Sequence, residues 1–321
     1  MTENRLSPVR SARSWLTRFG PFFALVVVYL FFAVLRPETF VTWGNTSIML
    51  QQTVIIGIAA LGMTLVIISG AIDLSVGSII ALCTIVVALL LGQGWSPLAA
   101  GVAGVGAGAL CGLLAGLLIT RLRLLPFIVT LGTMGIWRGL AKGLADEQPI
   151  YPDDSWLNRL MELPASGLPA GVWLLLGFAL LVGALLRYTR FGRHVFAVGS
   201  NEATARLCGV RVERLKLWVF IVGSAFAGLA GVLQFAYLTG GDPTTAVGLE
   251  LNIIAAVVIG GASLSGGQGT IAGTLAGAFL MTVVANGCTK LELANWVQEI
   301  VTGGIIVAAV LLDRLRQKRA T

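Results

Sequence analysis

The chain has 321 residues, of which 56% are hydrophobic and only 12% are charged, with a formal net charge of +7. Soluble domains average about 25% charged residues, so this composition excludes a water-soluble globule. The apolar runs are continuous rather than alternating, which excludes a membrane β-barrel. The sequence therefore predicts an all-α, polytopic helical bundle in a membrane.

Residues 1–20 form a basic arm with Arg5, Arg10, Arg13 and Arg18. A basic arm before an apolar run is also the pattern of a signal peptide. The run that follows lacks a clear small-residue cleavage site, so we interpret it as an uncleaved first span. About ten spans are predicted in all, of which the fifth and eighth can be broken or re-entrant. They cover 22–35, 54–69, 70–91, 98–120, 126–139, 172–186, 217–238, 251–262, 271–286 and 296–312.

Asp73 is the acid most deeply embedded in apolar sequence, and it lies between Gly70 and Gly77. A charge in such a place is costly and usually marks a polar path or a helix end. We interpret Asp73 as the N-cap of a helix that starts at Leu74. Contact with a polar solute is the alternative. A proton relay is less favoured, because no second embedded acid or histidine accompanies Asp73.

Glycines at 104, 108, 112 and 116 repeat every four residues in the fourth span. They leave one helix face nearly bare, which predicts close helix packing. A pore lining is the alternative use of such a face.

Several polar residues lie in or beside the spans and suit a neutral polyol that passes through. They suit hydrogen bonds between helices equally, and both interpretations stay open. As a candidate solute pathway we take Gln52, Thr64, Asp73, Ser75, Thr130, Thr133, Asn252 and Asn286.

The charge pattern predicts the orientation of the chain. The arm, the turn at 121–123, the segment 187–216 and the tail 313–321 hold 17 of the 22 Lys and Arg residues. Because basic residues concentrate on the cytoplasmic side, these segments are expected there, with both termini. The polar stretch 141–171 is then periplasmic, and 21–312 forms the transmembrane domain.

Segment 187–216 contains a short helix signal. Ser200 is a possible N-cap, and Gly209 ends the helix. Ala203, Leu207 and Val210 form an apolar stripe on about two turns. Such a short helix does not persist alone in water, so we expect a cytoplasmic partner to receive the stripe.

No motif in the chain predicts catalysis or cofactor binding. The glycine-rich run 260–270 lacks the Gly-Lys-Ser/Thr of a nucleotide-binding loop, and it predicts a tight reversal within the membrane instead. The four cysteines have no metal or redox spacing, and His194 is interpreted as a solvated loop residue. No metal site and no nucleic-acid partner are expected.

Five blocks in chain order resemble the permease subunit of ribose-type bacterial ABC sugar importers, the family that serves ribose, xylose, arabinose and galactose. They are ALGMTLVI at 60–67, GAIDLSVG at 70–77, LPFIVTLGT at 125–133, AVGSNEATAR at 197–206 and AAVVIGGASLSGGQGT at 255–270.

This resemblance implies a multi-pass protein of the bacterial inner membrane, with a second permease as homodimer mate or paralogue. It also implies a cytoplasmic ABC ATPase, which would bind ATP and Mg, and a periplasmic sugar-binding protein. Basic residues that flank the short helix would pair with the ATPase or with membrane lipid. The residues carried over as the ATPase-coupling surface are Gly192, Arg193, Ser200, Asn201, Glu202, Ala203, Arg206, Leu207 and Gly209.

The expected function is therefore the uptake pathway for a monosaccharide or similar polyol, with ATP hydrolysed on another subunit and no enzymatic activity in this chain. The alternative is an ion-coupled secondary transporter of a small polar solute, a class that usually shows embedded ionisable groups and internal repeats. An intramembrane enzyme would need paired acids or a nucleophile with its base, which the spans lack. The identity of the sugar stays open.

Overall fold

A computed structural model describes residues 8–163 and 167–318. Within these ranges the chain forms thirteen α-helices, one short 3-10 helix and a single isolated β-bridge between Ile150 and Gly241. The predicted all-α class is confirmed.

The helices in the first part of the chain are α1 Pro8–Leu35, α2 Pro37–Phe40, α3 Trp43–Ile68, α4 Val76–Gly92, α5 Pro97–Arg121, α6 Pro126–Leu144 and α7 Ala170–Tyr188, with the 3-10 helix at Asn158–Leu160. Those in the second part are α8 Arg190–Ser200, α9 Glu202–Leu207, α10 Val212–Leu238, α11 Leu249–Ile259, α12 Ile271–Lys290 and α13 Asn295–Lys318.

Five of these helices, α3, α5, α7, α10 and α12, are long and apolar enough to cross a membrane. Shorter apolar segments lie in α1, α4, α11 and α13. Large hydrophobic side chains point outward, such as Val34 and Leu180, as expected for a surface in contact with lipid. The protein is thus a polytopic, multi-pass membrane bundle.

Helix α3 lies at the centre of the bundle. Its side chains are apolar all round and nearly all buried from Val54 to Ile68, as expected for a helix surrounded by others. Helix α10 packs against α3, α4 and α5, and α12 packs against α3, α11 and α1.

The glycine face of α5 packs closely against α10. A Cβ at Gly108 would lie 2.5 Å from the Ser224 carbonyl oxygen and 2.7 Å from Gly228 Cα. One at Gly104 would lie 2.8 Å from a methyl group of Val87 on α4. The predicted packing role is confirmed, and these glycines do not line a pore.

The bundle has two chemically different ends. At the first end, Gly267 of the α11–α12 loop donates to the Ile68 carbonyl at 2.8 Å, and Leu264 donates to Asp313 of α13 at 3.3 Å. Helices α8 and α9 share this end with the α5–α6 turn, so we call it the basic end. The opposite end carries residues 145–163 and 167–169 and is called the acidic end.

Two stretches outside the predicted spans are largely helical. Segment 187–216 holds the last turn of α7, all of α8 and α9 and the start of α10. Helix α8 forms because Gly192, Val195 and Val198 are buried against the bundle. Residues 36–52, which lie between the first two predicted spans, contain α2 and the first ten residues of α3, and they are anchored by the fully buried Phe40. Residues 1–7 of the predicted arm and 319–321 of the predicted tail lie outside the described residues, and α1 begins within the arm.

Candidate functional site

Helix α9 stands at the basic end with a cap that differs from the predicted one. Ser200 is the last residue of α8, so the prediction of Ser200 as N-cap is wrong. Asn201 takes that place, because its backbone is extended and its side-chain oxygen accepts from Thr204 N at 2.9 Å. At the other end, Gly209 has φ +83°, and Val210 N donates to Ala205 O at 3.1 Å.

The apolar stripe of α9 is only partly as predicted. Val210 lies beyond the helix and is half-buried, and the residue that packs inward is Ala205. Ala203 is exposed, and Leu207 is 90% exposed. Two apolar side chains on a six-residue helix therefore lack cover within the described chain.

Ion pairs tie α9 to the first turns of α10. Arg206 contacts Glu202 at 3.3 Å and Glu213 at 2.6 Å, and Lys216 contacts Glu202 at 2.6 Å. The hydrogen bond from Lys216, followed by the Arg206 contact, lowers the pKa of Glu202. The network holds α9 in place, although exposed pairs contribute only about 1 kcal/mol or less each.

Glu213 and Lys216 belong to this network, and the sequence reasoning missed both as site residues. The spacing of residues along the sequence does not predict that Glu213 and Lys216 contact α9, because the chain turns between α9 and α10.

Helix α8 contributes the rest of the predicted coupling residues. Gly192 is buried, lies against the Leu186 carbonyl and donates its N–H to Thr189 Oγ1 at 3.2 Å. Arg193 is exposed. Of the coupling residues, all except Gly192 are therefore on the surface at the basic end.

The end of α8 touches the central helix directly. Gly199 lies against the Ile68 carbonyl at the end of α3, and a Cβ there would lie 2.6 Å from Gly267 N. Gly266 and Gly267 both have positive φ, so a tight reversal is confirmed, and its place within the membrane stays a prediction. One small contact thus joins the α8–α9 segment to α3 and to the loop between α11 and α12.

Asp73 has a role in the turn between α3 and α4 that differs from the predicted one. Helix α4 begins at Val76 rather than Leu74, so Asp73 is not its N-cap. Its Oδ1 atom accepts from Ser75 N at 2.8 Å and from Ser75 Oγ at 2.6 Å. The carboxylate therefore closes the turn that precedes α4.

Four further pathway candidates also have hydrogen-bond partners inside the bundle. Thr64 bonds Thr274 of α12 at 2.8 Å. Asn286 and Asn45 exchange two amide hydrogen bonds, at 2.9 and 3.0 Å. Thr130 donates to Ile72 O at 3.3 Å, and Thr133 donates to Thr130 O at 3.2 Å. None of these four, nor Asp73 and Ser75, lines the cavity described next.

The remaining two candidates, Gln52 and Asn252, meet in a cavity of about 290 Å³ between α3, α10, α11 and α12. We call it the bundle cavity. Its other polar side chains are Gln234, Tyr237 and Thr282, which the sequence reasoning did not select. The Oδ1 atom of Asn252 is buried without a hydrogen-bond partner among the described residues. A buried, unpaired amide oxygen costs free energy, and the five polar side chains of the lining make the cavity a candidate place for a polar molecule.

The wall of the bundle cavity near the acidic end is a short strap, residues 242–248. Arg138 Nη1 of α6 donates to Pro243 O at 2.9 Å and to Thr245 O at 2.6 Å. Gln234 bonds Thr245 Oγ1 at 3.0 Å. Ala246 and Val247 of the strap then reach the cavity. Within the described part of the chain, no cluster of three His, Cys, Asp or Glu residues could hold a metal ion.

The comparison with known proteins agrees with this architecture. The profile of the family described as the branched-chain amino acid transport system permease component matches residues 45–310. The ribose import permease protein RbsC of Escherichia coli K12 is 36% identical over 95% of this chain and 96% of its own length.

Two further relatives also align with nearly the whole of this chain. RbsC of Bacillus subtilis 168 is 38% identical over 93% of each chain. The L-arabinose transport system permease protein AraH of Escherichia coli K12 is 36% identical over 95% of this chain and 93% of its own. No solved structure shows a significant match. The predicted resemblance to the permease subunits of ribose-type ABC importers is confirmed, and the chain belongs to the family described as the permease component of the branched-chain amino acid transport system.

Proposed function

We propose that this permease forms the membrane pathway through which an ABC importer takes up a monosaccharide or a similar neutral polyol. The observation that carries the proposal is the bundle cavity, whose polar lining consists of amide and hydroxyl groups, with the Asn252 oxygen unpaired. Such groups both donate and accept hydrogen bonds, as sugar hydroxyls do. The relatives named for ribose and L-arabinose favour the same substrate class.

The family description names branched-chain amino acids, and the lining of the bundle cavity argues against them here. An amino acid zwitterion carries two charges, and each would need a charged partner or a helix terminus in a dry site. The five polar residues of the cavity carry no formal charge at neutral pH, and the start of α11 at Leu249 offers a helix N-terminus for the carboxylate but no partner for the ammonium group. A neutral polyol fits this lining better.

In this proposal, a separate ATPase subunit binds to the basic end, where it binds ATP and Mg and hydrolyses the ATP that drives transport. The exposed Ala203 and Leu207 of α9 would insert into a groove of that ATPase, with Glu202 and Arg206 at the rim. The contact of Gly199 with Ile68 and Gly267 supports this route, because α3, α11 and α12 all line the bundle cavity. A movement of α8 and α9 would then change the shape of the cavity walls.

The proposed topology has about ten spans, with both termini in the cytoplasm. It is supported by the basic residues around α8 and α9 and by the contact of Asp313 with the loop at the same end. A periplasmic sugar-binding protein would deliver the solute at the acidic end. A second permease, either another copy or a paralogue, would complete the pathway.

The test is reconstitution of this chain in proteoliposomes with the ATPase and sugar-binding protein of the same transport system. Uptake of radiolabelled D-ribose, L-arabinose, D-allose and L-leucine is measured with ATP, and separately with a proton or sodium gradient alone. We expect ATP-dependent uptake of at least one monosaccharide and none of leucine. Uptake driven by the ion gradient without ATP would instead establish a secondary transporter, and uptake of leucine alone would refute the sugar assignment.

A further inference from the structure

A second cavity, of about 520 Å³, opens at the acidic end beside the bundle cavity. We call it the mouth cavity. It lies between the segment around the 3-10 helix and the ends of α3 and α10. Its polar and aromatic lining includes Gln51, Asp154, Trp156, Asn158, Arg159 and Glu162.

We propose that the mouth cavity is a binding site for the same neutral monosaccharide or cyclic polyol, occupied before the solute enters the bundle cavity. This inference rests on the proposed function. Nothing in the family description or in the names of the relatives refers to such a site.

The chemistry of the lining fits a sugar. Trp156 is 46% exposed, so its indole face is free to stack on the C–H face of a sugar ring. Arg159 offers donors, and the carboxylates of Asp154 and Glu162 offer acceptors. In the part of the chain that the structure describes, neither Arg159 nor Glu162 has a hydrogen-bond or ion-pair partner, so both are available to a ligand.

Part of the site is held in position by its own hydrogen bonds. Asn158 Nδ2 donates to Asp154 Oδ1 at 3.0 Å, and Ser155 Oγ donates to Asn158 Oδ1 at 3.2 Å. Gln51 of α3 donates its side-chain amide to the Met161 carbonyl, which fixes this segment against the bundle. A fixed arrangement lowers the entropy cost of binding a small ligand.

The two cavities are neighbours. Tyr237 of α10 lines both of them, and the consecutive residues Gln51 and Gln52 line one cavity each. The two cavities therefore share Tyr237 as a common wall residue and lie next to each other along α3.

The experiment uses the full chain with its ATPase in nanodiscs, without the binding protein, and D-ribose, L-arabinose and D-allose as probes. Saturation-transfer NMR reports sugar contact, and a separate titration reports docking of the sugar-binding protein. The variants are Trp156→Ala and Arg159→Gln, with Trp156→Phe as the conservative change. Trp95→Ala is the matched control, because Trp95 is 52% exposed and lies outside the lining of either cavity.

We expect the sugar affinity to fall about three- to tenfold in Trp156→Ala and in Arg159→Gln, to be largely retained in Trp156→Phe, and to be unchanged in Trp95→Ala. Docking of the binding protein should be unaffected. Unchanged sugar contact in both Trp156→Ala and Arg159→Gln would overturn the proposal. Loss of docking with intact sugar contact would also overturn it and would assign this face to the binding protein.

Failure of this inference differs from failure of the proposed function. If the unaltered transporter takes up monosaccharides and the variants bind sugar normally, only the mouth site is refuted. If the unaltered transporter takes up no monosaccharide, the proposed function itself is refuted.

Discussion

At the scale of single residues, the polar groups of the spans divide into two kinds. Asn286 and Asn45 satisfy each other across α12 and α3, so they act as a structural hydrogen-bonded pair. Asn252 is also an asparagine near a helix end, yet its oxygen is buried without a hydrogen-bond partner among the described residues, and the residue lines the bundle cavity. Residue type alone does not distinguish the two asparagines, because the difference depends on whether a neighbouring helix provides a hydrogen-bond partner.

Asp73 gives a prediction at this scale. The hydrogen bonds from Ser75 N and Ser75 Oγ both go to one carboxylate oxygen, Oδ1. The side-chain amide of an asparagine also provides one such oxygen, so Asp73→Asn is expected to fold and to transport. Asp73→Leu leaves the buried Ser75 N–H and hydroxyl unpaired, at a cost of about 1–3 kcal/mol each. The measurements are the thermal stability of the purified variants in detergent and their sugar uptake.

A particular result would refute this interpretation of Asp73. If Asp73→Asn reached normal protein levels but did not transport, the carboxylate would have a role in transport beyond closing the turn.

At the scale of elements, helix α9 gives the second prediction. Leu207→Asp and Ala203→Asp add a charge to the face proposed to enter the ATPase, where an unpaired buried charge costs several kcal/mol. The permease itself should fold normally, because both side chains are exposed. Pull-down of the ATPase and vesicle uptake should both be lost.

A charge added elsewhere at the same end is the control for α9. Leu122→Asp lies at the exposed α5–α6 turn and should retain both activities. Normal uptake by Leu207→Asp and Ala203→Asp would exclude this helix face as the coupling surface.

The strap at 242–248 gives the third prediction. Arg138→Gln removes the guanidinium that bonds two strap carbonyls, and hydrogen bonds from charged groups contribute about 1.5–3 kcal/mol each. The cavity wall at Ala246 and Val247 should loosen, and the rate of sugar uptake should fall. Lys142→Gln, one turn further along α6, is the control and should transport normally. Equal uptake by the two variants would contradict a role for the strap.

Helix positions could largely be predicted from the sequence, whereas helix ends and tertiary partners could not. Apolar runs and the glycine repeat of α5 predicted helices and a packing face, because both are local patterns. The cap of α9 was missed by one residue because the end of α8, which packs Val195 and Val198 on the bundle, was itself missed. Gln234, Tyr237 and Thr282 could not be selected, since only the packing of four helices distinguishes them from other polar residues.

At the scale of the whole molecule, the two ends of the bundle predict the topology. A single cysteine is introduced by Thr204→Cys or Asp153→Cys in a Cys208→Ser background, where the other three native cysteines are buried. Thr204→Cys should react with a membrane-impermeant reagent only from the cytoplasm, and Asp153→Cys only from the periplasm. Reversed labelling at either position would contradict the ten-span arrangement.

The central claim is that the solute crosses through the bundle cavity, and blocking that cavity tests it most directly. Gln52→Cys and Ala285→Cys, both at positions of the cavity lining that are not fully buried, are made separately in the Cys208→Ser background. Each protein is treated with a small methanethiosulfonate reagent and assayed for ATP-driven sugar uptake in proteoliposomes. Asp153→Cys is the control, because it lies at the same acidic end but outside the lining of either cavity. The account predicts that modification abolishes uptake at Gln52→Cys and Ala285→Cys, that sugar slows both reactions, and that the modified Asp153→Cys protein transports normally. Uptake at the unmodified rate by fully labelled Gln52→Cys and Ala285→Cys proteins would contradict it.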